Sequence, residues 1–423
     1  MNRGRLASSL ALAASLGVGL LGCTGTGPLA PSVDTTPLPP ALLPGNVIVV
    51  NDPTLLASRL ERTHEVLTVV PKGAQREELS GAGKPGDVGA QLTLVGMVRS
   101  PEVDGIVVQA NDVDIYGQTA VIAYNTAGDV FAGAVQVIDF SHPERPEIVS
   151  EVLYRHADVN AVALIGNHLY AGLAADDPTL ASPALLEELD LTGRAVSQTG
   201  SWLDLPSWAC TDLAAHGDGV VVAVGARDGG VAFVRRNRGL ELAGFAPQFD
   251  VRSVALDVDA AFGVGGEGRL MRHRLPEMTT ESNVAVGGYG NEAAKGTIEV
   301  YAGRSYLGAG DGGMQIRDAD GGMLDALTCP ALTPEGGLAV VNAVTCANHL
   351  GFVAAGPQGV VVVRLGRYRC DNDGSGEAEG LQLVGQLGLE AGASCNMVKS
   401  KNDILVVAAG AGGVKLVSMR FPE

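Results

Sequence analysis

The chain has 423 residues, with 29 basic side chains against 47 acidic ones and a formal charge of −18. That balance argues against nucleic acid or an anionic membrane surface as an electrostatic partner, since neither would gain from counterion release or surface attraction. Hydrophobic residues make up 46% but aromatics only 4%, so the core must be built from Val, Leu, Ala and Ile, and 58 Gly with 21 Pro suit many tight turns between short strands.

The first 22 residues read as a targeting segment. Arg3 and Arg5 form a positive region, and Leu6 to Leu21 form an apolar stretch too short and too rich in Ala, Gly and Ser to span a membrane. The segment ends in Leu20-Leu21-Gly22-Cys23, which resembles the bacterial lipoprotein lipobox. The resemblance implies cleavage before Cys23 and acylation of that residue. Several chains at about 0.8 kcal/mol per buried CH₂ make a lasting anchor. An ordinary secretory signal that happens to contain a cysteine is the other reading. Thr24 carries no Asp-type retention signal, which points to the outer membrane. Without Arg3 and Arg5 there are 27 basic and 47 acidic residues, a charge of −20, which serves solubility or recognition of a basic partner.

Residues 23–45, rich in Thr, Pro, Gly and Leu, read as a tether that does not pack. Residues 46–90 hold two strand-like runs, NVIVV and EVLTVV, around a helical turn within Pro53 to Arg62, then a linker-like stretch, and their role stays open. From Gln91 to the end the chain repeats. QLTLVGMV is a lone strand, and seven hairpin cores follow, at Thr119–Phe140, His168–Leu191, Val220–Arg236, Ala260–Leu275, Ser305–Asp318, Leu350–Leu365 and Ile404–Met419. A turn glycine recurs at Gly225, Gly265, Gly310, Gly356 and Gly410, intervals of 40 to 54 residues, the length of a four-stranded blade with loops. The expected fold is an all-β, seven-bladed β-propeller over residues 91–423, with the strand from Gln91 completing the last unit and so removing a sheet edge. Six or eight blades are the alternatives, because the second unit carries the insertion LAADDPTLASPALLEELDL.

The stretch Ala134 to Tyr154 contains Val135, Val137, Ile138, Asp139, Phe140, Ser141, Pro143 and Pro146, and resembles the LVIVD repeat of bacterial surface propeller proteins. Later units match only as hairpins. The resemblance implies a propeller at the cell envelope and no fixed activity. Physically, the Asp139 carboxylate can cap the turn after its strand, and Pro143 and Pro146 stop the strand from continuing.

Four candidate sites follow. Asp371, Asp373, Ser375, Glu377 and Glu379 space oxygen ligands as in an EF-hand-like Ca²⁺ loop, although Gln382 stands at the twelfth position and a strand-like run precedes it. A solvated acidic turn is the alternative. Aligning the units places Asn160, Cys210, Arg252, Lys295, Asn342 and Cys395 just before an apolar pair of each innermost strand. They would face the channel mouth there, with Arg252 and Lys295 placed to grip an anion, and a ligand-free polar lining is the other reading. Trp202 and Trp208, within Ser201 to Trp208, form the dense aromatic stretch, a contact loop or packing between blades. Five cysteines besides Cys23 leave one unpaired, with Cys329–Cys346 the first pairing considered. The histidines show no metal spacing and there is no Gly-x-Ser-x-Gly elbow, so Ca²⁺ is the only cofactor considered and binding is favoured over catalysis. The expected function is an anchored binding or scaffold module for an envelope protein or glycan. A propeller-type hydrolase, lyase or quinoprotein acting on an envelope or extracellular polymer is the alternative.

Overall fold

The computed structural model describes residues 38–71, 88–291, 294–329, 340–370, 379–388 and 393–422. Cys23 and the segment around it lie outside these residues.

Strand follows strand from residue 91 onward, and the strands group into seven antiparallel sheets arranged as the blades of a β-propeller. The innermost strands of blades one to seven are Gln109–Tyr116, Ala157–Ile165, Cys210–His216, Val251–Asp257, Ile298–Tyr301, Ala343–Ala347 and Met397–Lys401. In each blade the chain steps outward through hairpins. The second unit is an ordinary blade whose insertion sits between its second and third strands, His168–Ala175 and Ala184–Thr192.

The burial pattern explains the composition. Second strands such as Gly219–Val224 and Leu350–Ala354 are buried at every position, because both faces meet a neighbouring blade. The outer strand Thr279–Ala285 is mostly exposed and correspondingly polar. Small side chains dominate the blades, so close packing needs only a few aromatics, among them the fully buried Tyr124, Tyr154, Tyr170, Phe233 and Phe352.

In blade seven the fourth strand is Gln91–Val98, which pairs with Val414–Arg420 from Gln91 opposite Arg420 to Val98 opposite Val414. Next to it, Ala110 and Gly410 exchange two backbone hydrogen bonds of 3.0 and 3.2 Å between blades one and seven. Gly410 adopts φ +59°, a left-handed conformation that suits glycine, and Gly356 repeats it at φ +56° one blade earlier, bridging to Cys395.

Residues 38–70, which join the end of the expected tether to part of the 46–90 segment whose role the sequence left open, form a strap on the rim of the ring. Val47–Val50 adds a fifth strand to blade one through Glu147–Tyr154, and Leu60–Val66 adds a fifth strand to blade seven through Gln91–Val98. Val70 then bridges to Gln386 of blade six. Between the two strands lies the helix Pro53–Ser58, capped by the Asp52 carboxylate on the amides of Thr54 and Leu55. Three outer edges that would otherwise be open to pairing are thereby covered. The tether expected over 23–45 does not hold to its end. Ala41 and Leu42 are buried in the apolar cluster between blades one and two, because Leu42 reaches apolar surface there that outweighs the cost of ordering a short turn.

Arg59, just after the helix, pins the strap. Its guanidinium lies 3.2 Å from the Glu151 carboxylate, which is fully buried inside blade one and also accepts from Gln136 at 2.8 Å. Tyr124 donates to the Gln136 carbonyl and completes the network. Burial pushes the Glu151 carboxyl above the usual range, against the pull of Gln136 and Arg59.

Candidate functional site

The residues that face the channel mouth are placed there by a recurring irregularity of the innermost strands. In blades one to four the pairing with the second strand slips by one residue, and the extra residues are Asn111, Asn160, Thr211 and Arg252. A bulge of this kind re-aims one side chain while the strand on either side keeps its alternation. These four, with Lys295, Ala209, Phe249, Asp250, Gly266, Tyr289, Gly290 and Ala294, line a cavity of about 620 Å³.

Asn160, Arg252 and Lys295 come together as expected from the sequence. Asn342 does not join them: it is buried, donating to the Cys395 carbonyl at 2.9 Å and accepting from the Lys295 amide at 3.1 Å. Two other aligned positions were one residue out. Thr211 faces the cavity, whereas Cys210 is buried between blades two and three against Gly172. Asn396 is the blade-seven counterpart, whereas Cys395 is buried. The signal for the correct register is a polar residue followed by a second polar one, as in Asn111-Asp112, Thr211-Asp212 and Arg252-Ser253.

Most of these groups stitch one blade to the next. Asn111 donates to the carbonyls of Val159 and Asn160, Thr211 to that of Val251, Arg252 to those of Asn291 and Ala294, and Asn396 to that of Ala110. A second tier lies one residue deeper. Asp112 accepts from the Val162 amide, Asp212 from Val254, Ser253 from Ile298, and Thr345 from Ser400. Buried backbone amides at the blade seams need such partners.

Arg252 and Lys295, expected from the sequence as a grip for an anion, each have a carboxylate partner within the fold. Arg252 is paired with Asp250 at 3.3 Å, and Lys295 crosses the channel to Asp112 at 2.6 Å and to the Asn111 carbonyl at 2.9 Å. Each positive charge already has a carboxylate. Deeper in the channel a cavity of about 460 Å³ is crossed in the same way by Lys399 and Glu299 at 2.6 Å, with Tyr301 also donating to Glu299. Burial works against the Lys399 charge, but Glu299, Tyr301 and Asp114 outweigh it and hold the ammonium above its usual range. Burial, reinforced by the nearby Asp112 charge, pushes Asp212 up to about 6, with Lys295, Ser253 and Val254 pulling the other way.

The aromatic stretch divides. Trp202 lies on the outer strand Ala195–Asp204, opposite Glu187, and packs on the apolar cluster of blades one and two. Trp208 is 60% exposed in the connection to blade three, next to Ala209 of the cavity. Phe249, 47% exposed in the next connection, lines the same cavity and was not singled out from the sequence. Ser207 and Asp250, beside these aromatics, hold positive φ values of 79° and 48°.

The disulfide expectation is overturned. Cys346 is bonded to Cys370, with Cα atoms 6.3 Å apart, while Cys329 is buried with its Sγ 3.1 Å from the Gly310 carbonyl. The hairpin turn at Asn348 brings residues 346 and 370 to the same end of blade six, which spacing alone does not reveal. Of the calcium-loop residues, Asp371, Asp373, Ser375 and Glu377 lie outside the described residues, and Glu379 accepts from Gln382 at 2.7 Å. His168, Glu188 and Asp190 cluster on blade two, where Arg236 lies 3.6 Å from Glu188 as its cationic partner. In the LVIVD-like stretch, Asp139 caps its turn as expected, accepting from the Ser141 amide at 2.8 Å.

No family model matches the chain, and no curated protein matches it. Among solved structures, the WD40 β-propeller domain of Doa1 is similar at 14% identity, with a TM-score of 0.50 over 76% of this chain and 96% of that one. The computationally designed Ika8 protein is similar at 13% identity, with a TM-score of 0.47 over 85% of this chain and 98% of that one.

Proposed function

We propose that this chain is a lipid-anchored β-propeller of the bacterial cell envelope, akin to the LVIVD-repeat surface proteins, that works as a binding or scaffold module. Cys23 carries the lipid and the outer membrane is the location in this reading. The propeller fold supports a binding role in general. The observation that carries the reading is the contrast at the channel mouth. Arg252 and Lys295 are tied to internal carboxylates, while Trp208 and Phe249 stand exposed beside an open cavity. Exposed aromatics beside a cavity are what recognition uses, since they offer large contact area at low ordering cost. The partner is an envelope protein or glycan, presented to a rigid disc. The test is labelling of cells with a fatty-acid analogue, followed by affinity capture of the intact protein after cross-linking. Label lost on Cys23→Ala, together with a reproducible envelope partner, supports the reading; an unlabelled protein recovered alone overturns it.

One observation favours the enzymatic alternative. Asp212, raised to about 6 by burial and Asp112, lines the deeper cavity as a proton-transferring group would. Its oxygens, however, already accept from Ser253, Leu213 and Val254, which is the bonding of a structural staple.

A further inference from the structure

We infer that the channel mouth is a site for a neutral saccharide, the end of a glycan entering the 620 Å³ cavity and stacking on Phe249, with the exposed Trp208 of the neighbouring loop as a further contact. The inference rests on the binding reading above and names its ligand class. Four observations converge on it.

The first is charge. Each cation of the lining has an internal carboxylate, Arg252 with Asp250 and Lys295 with Asp112, so an ionic ligand would have to break a pair before making one. A neutral ligand faces no such cost. The second is the lining itself, which mixes amides and hydroxyls (Asn111, Asn160, Thr211, Tyr289) with an aromatic face at Phe249. A sugar ring matches both halves, with hydroxyls for the polar groups and axial C–H bonds for an aromatic ring. The volume falls in the ordinary range for small-ligand sites.

The third is preorganisation. Ser207, Ala226 and Asp250 are non-glycine residues at φ 79°, 70° and 48°. The Ser207 hydroxyl donates to the Gly225 carbonyl, and the Asp250 amide donates to the Ala226 carbonyl at 3.0 Å. One turn of blade three therefore holds both loops, the one before Trp208 and the one after Phe249. Left-handed conformations at such residues carry a cost that the surrounding bonds sustain, and they concentrate where side chains must be aimed. Gly266 belongs to the same arrangement, because a Cβ there would collide with the Asp250 carboxylate.

The fourth is an orphan donor. Tyr289 lines the cavity and is 2% exposed, yet its hydroxyl has no hydrogen-bond partner among the described residues. Burial pushes its pKa above the usual range, so it stays a neutral donor. A buried hydroxyl without a partner is costly, and a ligand hydroxyl supplies one.

The experiment titrates the purified full chain with neutral disaccharides ending in glucose, galactose or N-acetylglucosamine, and with a glucuronate-ended disaccharide. Binding is read by calorimetry and by tryptophan fluorescence in a Trp202→Phe background, which leaves Trp208 as the reporter. At least one neutral disaccharide should bind saturably in the millimolar range or tighter. Phe249→Ala should weaken it about tenfold, the equivalent of about 1.4 kcal/mol. Tyr289→Phe should weaken it several-fold while leaving the free protein at least as stable as before, because it removes a buried donor with no partner among the described residues. Glu144→Gln, on an exposed turn outside the cavity, should bind as the unsubstituted protein does. No saturable binding of any neutral disaccharide, preference for the glucuronate, or affinity indifferent to Phe249→Ala and Tyr289→Phe would each overturn the saccharide assignment. If a protein partner is captured through Trp208 without sugar binding, only the saccharide inference fails; if neither is found, the binding reading fails with it.

Discussion

Replacing Arg59 by Ala isolates what the strap contributes. Glu151 is fully buried, and Arg59 is the cation beside it, at 3.2 Å. Removing one partner of such a pair leaves a buried carboxylate with only the Gln136 amide, at 2.8 Å, to compensate it. Breaking buried pairs this way costs about 3–5 kcal/mol, and the partial exposure of Arg59 places the expectation near the lower end, about 3 kcal/mol. The pH dependence supplies the check. Burial raises the Glu151 pKa in the folded protein while Arg59 pulls it down. A raised carboxyl contributes stability that is present below its unfolded pKa and is lost as pH rises through the folded value. Without Arg59 the folded value climbs further, so the variant should lose about 3 kcal/mol at an alkaline pH, where Glu151 is ionised, and less at an acid pH, as Glu151 takes up a proton. Urea unfolding of both proteins at the two pH values measures this, and Glu151→Gln should rescue most of the loss in the double variant. Equal loss at both pH values, with additive single effects, would refute the role given to this pair.

Three further outcomes follow from other buried groups. Glu187, pushed up to about 7 by burial against the pull of Tyr154, makes Glu187→Gln stabilising above pH 7 by up to about 3 kcal/mol and neutral near pH 5, as urea unfolding would show. His273 is lowered to about 4 by burial, so it contributes stability present above its unfolded pKa and lost as pH falls through the folded value; His273→Gln should remove that acid-side loss. Replacing Cys346 and Cys370 by Ser should cost about 3 kcal/mol, the loop-closure value for a separation of 24 residues, and peptide mapping under non-reducing conditions should find the 346–370 pair and not 329–346.

The repeat was the legible part of this chain. Hairpins such as Val220–Arg236 announce themselves because strands buried on both faces become unbroken runs of Val and Ala, and turn residues interrupt them at a blade's interval. The strand Gln91–Val98 was equally plain and pairs with Val414–Arg420. What escaped was whatever depends on a single residue of register. Bulges at Asn111, Asn160, Thr211 and Arg252 decide which side chain enters the channel, and a shift of one turns Thr211 into Cys210. Long-range partners escaped for a different reason. Nothing local in Arg59 points to Glu151, and nothing in the spacing of Cys346 points to Cys370 over Cys329. Phe249, with only Phe245 near it in sequence, stood in no dense aromatic run; its pairing with the Trp208 loop exists only through the turn of blade three.

The claim that this propeller acts through its channel-mouth face is tested most directly by a photo-activated cross-linking residue in living cells. Installed at position 208 beside the cavity, and separately at position 144 on an exposed turn outside it, the probe reports which surface meets a partner. The account predicts a reproducible cross-link to an envelope component from position 208 and none from position 144. Capture from 144 alone, or equally from both, would contradict it.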